Sequence, residues 1–379
     1  MSRLDSISFR NYKAFANKEE MEIRPITLLV GKNSSGKSSI LKLLSVLQTA
    51  IDQNQNQLKL SNNIVSLGSR YEDLFHNHQQ AGLLLGLCYD DGMKIEASYI
   101  IDRGNLYRYR LVTSKPGTAP VIKSYSSEHS FDSGLLDRDY AKHNSTYIER
   151  TQFSLNYIGP IRKGTERTVD FSGYNNYSSV GLNGENAYQI LLDSYLRDKK
   201  VYENVSEWMQ SHLENQGLTV EQMNPMSGSY GFYIVRDGCK VNIADVGQGV
   251  CQLLPILVEA FMDNHVDLVA IEQPELHVHP ADHADIAYLL ADSAKRFSKR
   301  YIIESHSANM LLAFRDLVSD KTCDFNKNDI IIYFVDHDDD GAFLQRIEID
   351  ENGALSQWPT GVFGESLDLM TKIMNNQRG

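Results

Sequence analysis

The chain has 379 residues, 42% of them hydrophobic and 23% charged, with a net charge of −12 at pH 7. That is enough apolar material for two or three domains, or for one large α/β core carrying an insertion, and it excludes a disordered chain. The acidic balance disfavours a protein coated in phosphate-binding cations, although a local basic groove stays open.

No run of about 18 apolar residues, signal-peptide pattern or lipidation motif occurs, so a cytoplasmic protein without membrane contact is expected. Cys88, Cys239, Cys251 and Cys323 are far apart and form no C-x-x-C, which argues against a zinc hook and against a disulfide framework.

Residues 3 to 10 and 20 to 30 read as strands, with FRNYKAF as an aromatic and basic loop between them. The apolar run ITLLV leads into GKNSSGKSS, where Gly31, Gly36, Lys37 and Ser38 fit G-x-x-x-x-G-K-[ST]. Such a loop wraps phosphates with backbone N–H groups at a helix N-terminus, where unpaired donors and the macrodipole both favour an anion. Asn33, Ser34, Ser35 and Ser39 complete the candidate cradle, Lys37 reaches the β- and γ-phosphates, and Ser38 holds Mg²⁺. The following SSILKLLSVLQTAI has helical spacing to about residue 52.

AGLLLGLCYD, KIEASYIID and NLYRYRLVT then read as a meander of strands. Residues 114 to 150 are polar and aperiodic and read as a loop. NAYQILLDSYL and VYENVSEWMQSHLENQ read as two short helices, without the sustained heptads of a coiled coil. After 228 come strands near 229 to 243, a helix near 248 to 263, the buried strand VDLVAIEQ, a helix from about 280 and the strand RYIIES, an alternation that predicts a mostly parallel sheet. NDIIIYFVD, AFLQRIEID and a helical segment from about Glu365 follow.

LVAIEQPELHVHP places Glu272 where a carboxylate would meet water on the metal, and Glu275 where one would polarise an attacking water. Glu272-Gln273-Pro274-Glu275 resembles the extended Walker B motif of ABC-type ATPases of the SMC, RecF and OLD group. His277-Val278-His279-Pro280 resembles the D-loop, and Glu304-Ser305-His306-Ser307 the switch-histidine motif. ADVGQGVCQLLPIL resembles the signature segment, with Asp245, Gly247, Gly249 and Gln252 fitting and Cys251 departing from the usual Ser.

The resemblance implies an ABC-type P-loop ATPase head with a mixed sheet, an antiparallel β subdomain and a small helical insertion. It divides the chain into an N-terminal lobe (1–113), an insertion (114–228), a C-terminal lobe (229–320) and a small extension (321–379), resembling stand-alone bacterial ATPases. It further implies ATP and Mg²⁺ as ligands, Lys37, Glu275 and His306 as catalytic residues, and Ser38 and Glu272 on the metal. Gly247, Gly249 and Gln252 would engage the nucleotide of a second copy, so that the active form is a homodimer. The expected role is a switch acting on an effector, such as a nuclease in antiphage defence.

Two alternatives stay open, a DNA-binding repair clamp and a metal-dependent nuclease. Arg162, Lys163, Arg167, Lys295, Arg296, Lys299 and Arg300 are the candidate basic groove for the first, the last four also reading as a charged helix end. Asp336, Asp338, Asp339 and Asp340 would serve the second, although Gly341 and the strand after it suit a hairpin. His277, His279 and His283 have a spacing open to zinc but suit the ordering of the D-loop and the next helix. Arg10, Asn11, Tyr12 and Lys13 resemble an adenine-side segment. Gln48 and His76-Asn77-His78 are the candidates for an Mg²⁺-sensing position.

Overall fold

The computed structural model describes residues 2–52, 57–125, 133–137, 145–164, 166–224, 226 and 228–357. ITLLVG forms β3 (Ile26–Gly31), buried along its whole length. It lies inside a six-stranded sheet of order β16-β15-β3-β14-β13-β8. The partners are β8 (Leu155–Ile158), β13 (Leu268–Glu272), β14 (Arg300–Glu304), β15 (Ile330–Asp338) and β16 (Gly341–Ile347). All pairings are parallel except the β15–β16 hairpin. A parallel sheet covered on both faces needs continuous apolar strands, and LVAIE and RYIIE are accordingly buried throughout.

A second, antiparallel sheet runs β2-β1-β4-β5-β6-β7. Its strands are β1 (Leu4–Arg10), β2 (Glu19–Glu22), β4 (Ala81–Tyr89), β5 (Lys94–Asp102), β6 (Asn105–Ser114) and β7 (Val121–Ser124). Helix α1 (Lys37–Asp52) packs on the core sheet, and its Ile40, Leu41, Leu44 and Leu47 share one buried cluster with Phe9 and Leu85 of the antiparallel sheet and Leu29 and Ile302 of the core sheet. The opposite face of the core sheet, carrying Leu28, Val30, Ile271 and Ile303, packs on α5 (Gln248–Phe261), α6 (His283–Phe297) and α7 (Ala308–Ser319). Outside these lie α3 (Ala187–Leu196), α4 (Lys200–His212) and a small sheet of β10 (Gly217–Asn224), β11 (Ser229–Arg236) and β12 (Cys239–Asn242), with β9 (Val169–Asp170) also on β11. Thus β8, from the 114–228 segment, edges the core sheet, and β10 pairs with β11 across residue 228.

Three local readings change, and a fourth is not reached by the described residues. The strand expected over 20 to 30 divides at Pro25, whose fixed φ and missing N–H end one ladder and let the chain cross to the other sheet. Within the supposed loop 114 to 150, β7 adds to the meander and α2 (Ser145–Thr151) precedes β8. Residues 308–319, for which the sequence reading assigns no element, form α7, capped by Ser307 Oγ accepting from the Met310 amide at 3.1 Å. The helix expected from about Glu365 lies outside the described residues.

The Asp336–Asp340 run forms the expected hairpin, with Asp338 Oδ1 accepting from the amides of Asp340 (2.9 Å) and Gly341 (3.0 Å). Among the described residues no helix is long and apolar enough to cross a membrane.

Candidate functional site

Three adjacent parallel strands, β3, β14 and β13, end at Gly31, Glu304 and Glu272, so the loops that follow them share one edge of the sheet. Ligands of open α/β sheets gather outside such carboxyl ends. β3 passes directly into the phosphate loop and then α1, whose first-turn amides have no acceptor within the helix. Gly36 has φ +110°, and a Cβ there would stand 2.9 Å from the Phe15 ring, so only glycine lets the loop close over FRNYKAF. Tyr12, also buried, donates from its hydroxyl to Ser39 O at 2.9 Å and fixes the helix start. Asn11 donates to Ala81 O at 2.7 Å and Lys13 donates to Leu67 O, so this segment braces the loop.

Lys37 is buried, and its Nζ donates to Lys32 O at 2.7 Å and Gly31 O at 3.0 Å. Burial holds its ammonium below the usual lysine value, opposed by Glu304 at 3.9 Å. Ser38 Oγ donates to Glu304 Oε2 at 2.6 Å. Glu304 is itself buried, and burial raises its carboxyl above the ordinary range; Ser38 and Lys37 oppose that shift, while Glu272 and Glu275 add to it. Glu272 and Glu304 are register partners on neighbouring strands, so their side chains lie on the same face of the sheet.

The two residues expected on the metal, Ser38 and Glu272, each bond a different partner. Glu304 is the carboxylate bonded to Ser38, whereas Glu272 Oε1 accepts the Tyr157 hydroxyl, whose ionisation burial and Glu272 push far up. Nothing within LNYI marks Tyr157 locally; a tyrosine at a buried strand position, needing a polar partner, is the only trace of it in the sequence.

Glu275 Oε1 accepts the His306 amide at 2.6 Å, while its Oε2 is buried without a partner. Burial and Lys37 hold the His306 imidazole below its usual value, with Glu275 opposing. The phosphate loop, Walker B turn and switch histidine thus meet at one place.

The signature segment lies elsewhere. Gly247 precedes α5, and Gly249 backs onto the His277 carbonyl, which a Cβ would approach to 2.7 Å. Gln252 departs from its expected nucleotide-facing role. It is buried, and its amide is committed to the Arg162 backbone, accepting from Arg162 N at 3.0 Å and donating to Arg162 O at 2.7 Å. Cys251 is buried too and points toward Ile243 O at 3.6 Å.

Of the three histidines, His279 and His283 make bonds within the turn after Glu275 and the helix that follows it, and His277 is exposed. His279 Nδ1 accepts from Ala281 N at 3.2 Å, and His283 bonds Ser307 Oγ at 2.8 Å and Val278 O at 3.1 Å. His76 contacts Lys13 O at 3.0 Å and Gln48 bonds Asp52 within α1.

The candidate basic groove does not assemble. Arg162, Lys299 and Arg300 are buried, Lys163 pairs with Glu166, Arg167 with Asp245, and Lys295 with Asp329. Lys299 and Arg300 fall beyond α6, which ends at Phe297, so only Lys295 and Arg296 belong to the charged helix end.

A sequence-family profile described as "AAA domain, putative AbiEii toxin, Type IV TA system" matches residues 26–313, and a second, described as "Protein of unknown function (DUF3696)", matches residues 325–373. No curated protein matches the chain. Among solved structures, an SMC head bound to the C-terminal winged-helix domain of ScpA aligns with TM-score 0.55 at 14% identity, covering 92% of this chain and 98% of that one. The SMC head with an extended coiled coil, bound to the C-terminal domain of ScpA derived from Pyrococcus furiosus, aligns with TM-score 0.51 at 12% identity, covering 100% of both chains. The likeness shows that the fold is that of an ABC-type ATPase head.

Proposed function

The chain belongs to the AAA domain family that matches residues 26–313, and from that membership we propose that this ATPase of AAA/ABC type hydrolyses ATP with Mg²⁺ and works as a dimerising switch. The observation that carries the reading is the convergence of Ser38 with Glu304, and of Glu275 with the His306 amide, at the C-terminal ends of adjacent parallel strands. Lys37 and the loop amides hold the phosphates of the substrate, and neutralise charge that builds during phosphoryl transfer.

The donor set is hard oxygen, a hydroxyl and two neighbouring carboxylates, and the phosphates would supply further ligands, which suits Mg²⁺. Ser38, Glu304 and Glu272 would hold that ion, which neutralises phosphate charge when bound. Glu275 keeps one buried oxygen unpartnered and orients the attacking water, its other oxygen tied to the backbone of the switch segment. His306 faces the γ-phosphate and reports its presence to α7 through Ser307.

Gly249 lies against the His277 carbonyl and Gly247 opens on free space, which supports their use on a nucleotide held by a second copy. ATP would then close a two-fold dimer and hydrolysis would release it. The effector under this switch is a nuclease of an antiphage system in our reading, in keeping with the toxin–antitoxin wording of the family description. Burial and pairing of most of the candidate cations weigh against a DNA clamp.

Phosphate release measured with ATP and Mg²⁺ tests the reading. The wild-type chain turns over, and Lys37→Ala and Glu275→Gln do not; normal turnover by either variant overturns the roles assigned here.

A further inference from the structure

We infer that Arg162 is a positioning residue that clamps the turn carrying Glu275 to the signature helix, so that the water-orienting carboxylate and the signature move as one body. The inference deepens the reading of the site as an ATPase and rests on it.

Arg162 lies four residues after β8, in GPIRKG, which hydrogen bonds anchor on both sides of it: Gly159 N donates to Leu182 O at 2.8 Å and Lys163 N to Asn183 O at 2.7 Å. Its side chain is 2% exposed and runs into the space between α5 and β13. One end of the guanidinium faces the helix, Nη1 donating to Gln252 O at 3.3 Å. The other faces the Walker B turn, Nη2 donating to Glu272 O at 2.7 Å and Gln273 O at 3.1 Å. The Gln252 side chain closes the arrangement by pairing with both backbone groups of Arg162.

The carbonyls that Arg162 holds lie at the start of a turn with two non-glycine residues in left-handed backbone. Gln273 has φ +46°, left-handed for a residue with a Cβ, and His277 has φ +65°. Gln273 O also accepts from Leu276 N at 3.1 Å, and Gln273 N donates to Glu304 O at 2.8 Å. The clamp thus reaches the backbone on both sides of the strand end from which Glu275 is hung, and Glu275 touches the switch histidine.

A purely structural strut would not need a cation here. The guanidinium is taken out of water, burial lowers its pKa to about 10, and Nε is left without a partner. The charge is offset by Glu275 and Glu272, the two carboxylates of the site, with Glu275 the stronger influence. A planar fork bridges carbonyls on two elements in one fixed geometry, whereas the compact ammonium of lysine offers rotatable donors and no such fork. At the front of α5, Gly249 presses on the His277 carbonyl, a second tie between the same helix and the same turn. Occupancy at the signature by a partner's nucleotide is thereby felt at this chain's own Glu275.

The test compares wild type, Lys37→Ala, Arg162→Met and Arg162→Lys in steady-state hydrolysis, in equilibrium binding of ATP, and in thermal melting. Loss of the clamp is expected to lower kcat by about 10- to 100-fold while ATP affinity and KM stay within about twofold, because Lys37 and Ser38 are untouched. Arg162→Lys, keeping the charge but not the fork, should recover part of kcat. Unchanged kcat in a folded Arg162→Met protein overturns the inference, as does parallel loss of kcat and ATP affinity in both variants. If Arg162→Met fails to fold, Arg162→Lys decides in the same way: full wild-type kcat overturns the clamp, and a selective kcat defect supports it. Absence of hydrolysis in the wild type, or hydrolysis persisting in Lys37→Ala, would instead remove the ATPase reading and this inference with it.

Discussion

The rear of α5 is held by a buried ion pair whose strength can be measured. Glu259 and Lys299 have side-chain exposures of 0% and 1%, with Lys299 Nζ 3.4 Å from Glu259 Oε1. Two further donors converge on that same oxygen, Asn156 Nδ2 at 3.0 Å and Asn264 Nδ2 at 2.9 Å, while Oε2 has no partner. The pair joins α5 to the residue before β14, and Asn156 brings in β8.

Lys299→Met removes the cation bonded to the carboxylate and leaves it charged in the core, which costs about 3–5 kcal/mol. Glu259→Gln costs less, roughly 1–3 kcal/mol, because Lys299 keeps the Glu259 backbone carbonyl and burial already depresses its pKa. The double variant keeps an acceptor for both asparagines and no charge, so it should return to within about 1–2 kcal/mol of wild type. Urea denaturation of the four proteins gives the coupling energy, expected at roughly 2–4 kcal/mol. Single costs below about 1 kcal/mol, or strict additivity, would refute the claim that the two charges are interdependent.

Tyr157→Phe removes the hydroxyl donated to Glu272 and should destabilise the fold by about 1.5–3 kcal/mol while raising the Mg²⁺ concentration needed for half-maximal hydrolysis; an unchanged Mg²⁺ requirement contradicts the placement of Glu272 beside the metal. Gly36→Ala forces a side chain at φ +110° against Phe15 and should cost about 2–4 kcal/mol, with Phe15→Leu recovering only the part due to the clash. Burial raises Glu304 above 4.5, so its favourable contribution is complete below pH 4.5 and is lost as pH rises through the folded value. Glu304→Gln should accordingly gain stability relative to wild type between pH 4 and 7 in urea titrations, and a pH-independent difference would contradict the burial assigned to that carboxylate.

Much of the core was legible because its signals are local. A glycine-bounded loop between ITLLV and SSILKLL has one common meaning, and LVAIEQPE and RYIIES are apolar strands ending in carboxylates. What escaped was long-range. Ser38 and Glu304 are 266 positions apart, and Tyr157 and Glu272 are 115 apart; their pairing follows from strand order, which no local pattern encodes. Resemblance of the signature segment assigns Gln252 to a nucleotide, and only the approach of GPIRKG from another segment consumes its amide. KRFSKR looked uniformly exposed because charge patterning cannot show that the chain turns inward after Phe297 to begin β14.

The most direct test of the switch is mass in solution of the Glu275→Gln protein by light scattering, with and without ATP and Mg²⁺. Trapped nucleotide should double the mass, and Lys37→Ala introduced into the same chain should abolish the change. A Glu275→Gln protein that binds ATP yet stays monomeric at high concentration would contradict the ATP-closed dimer.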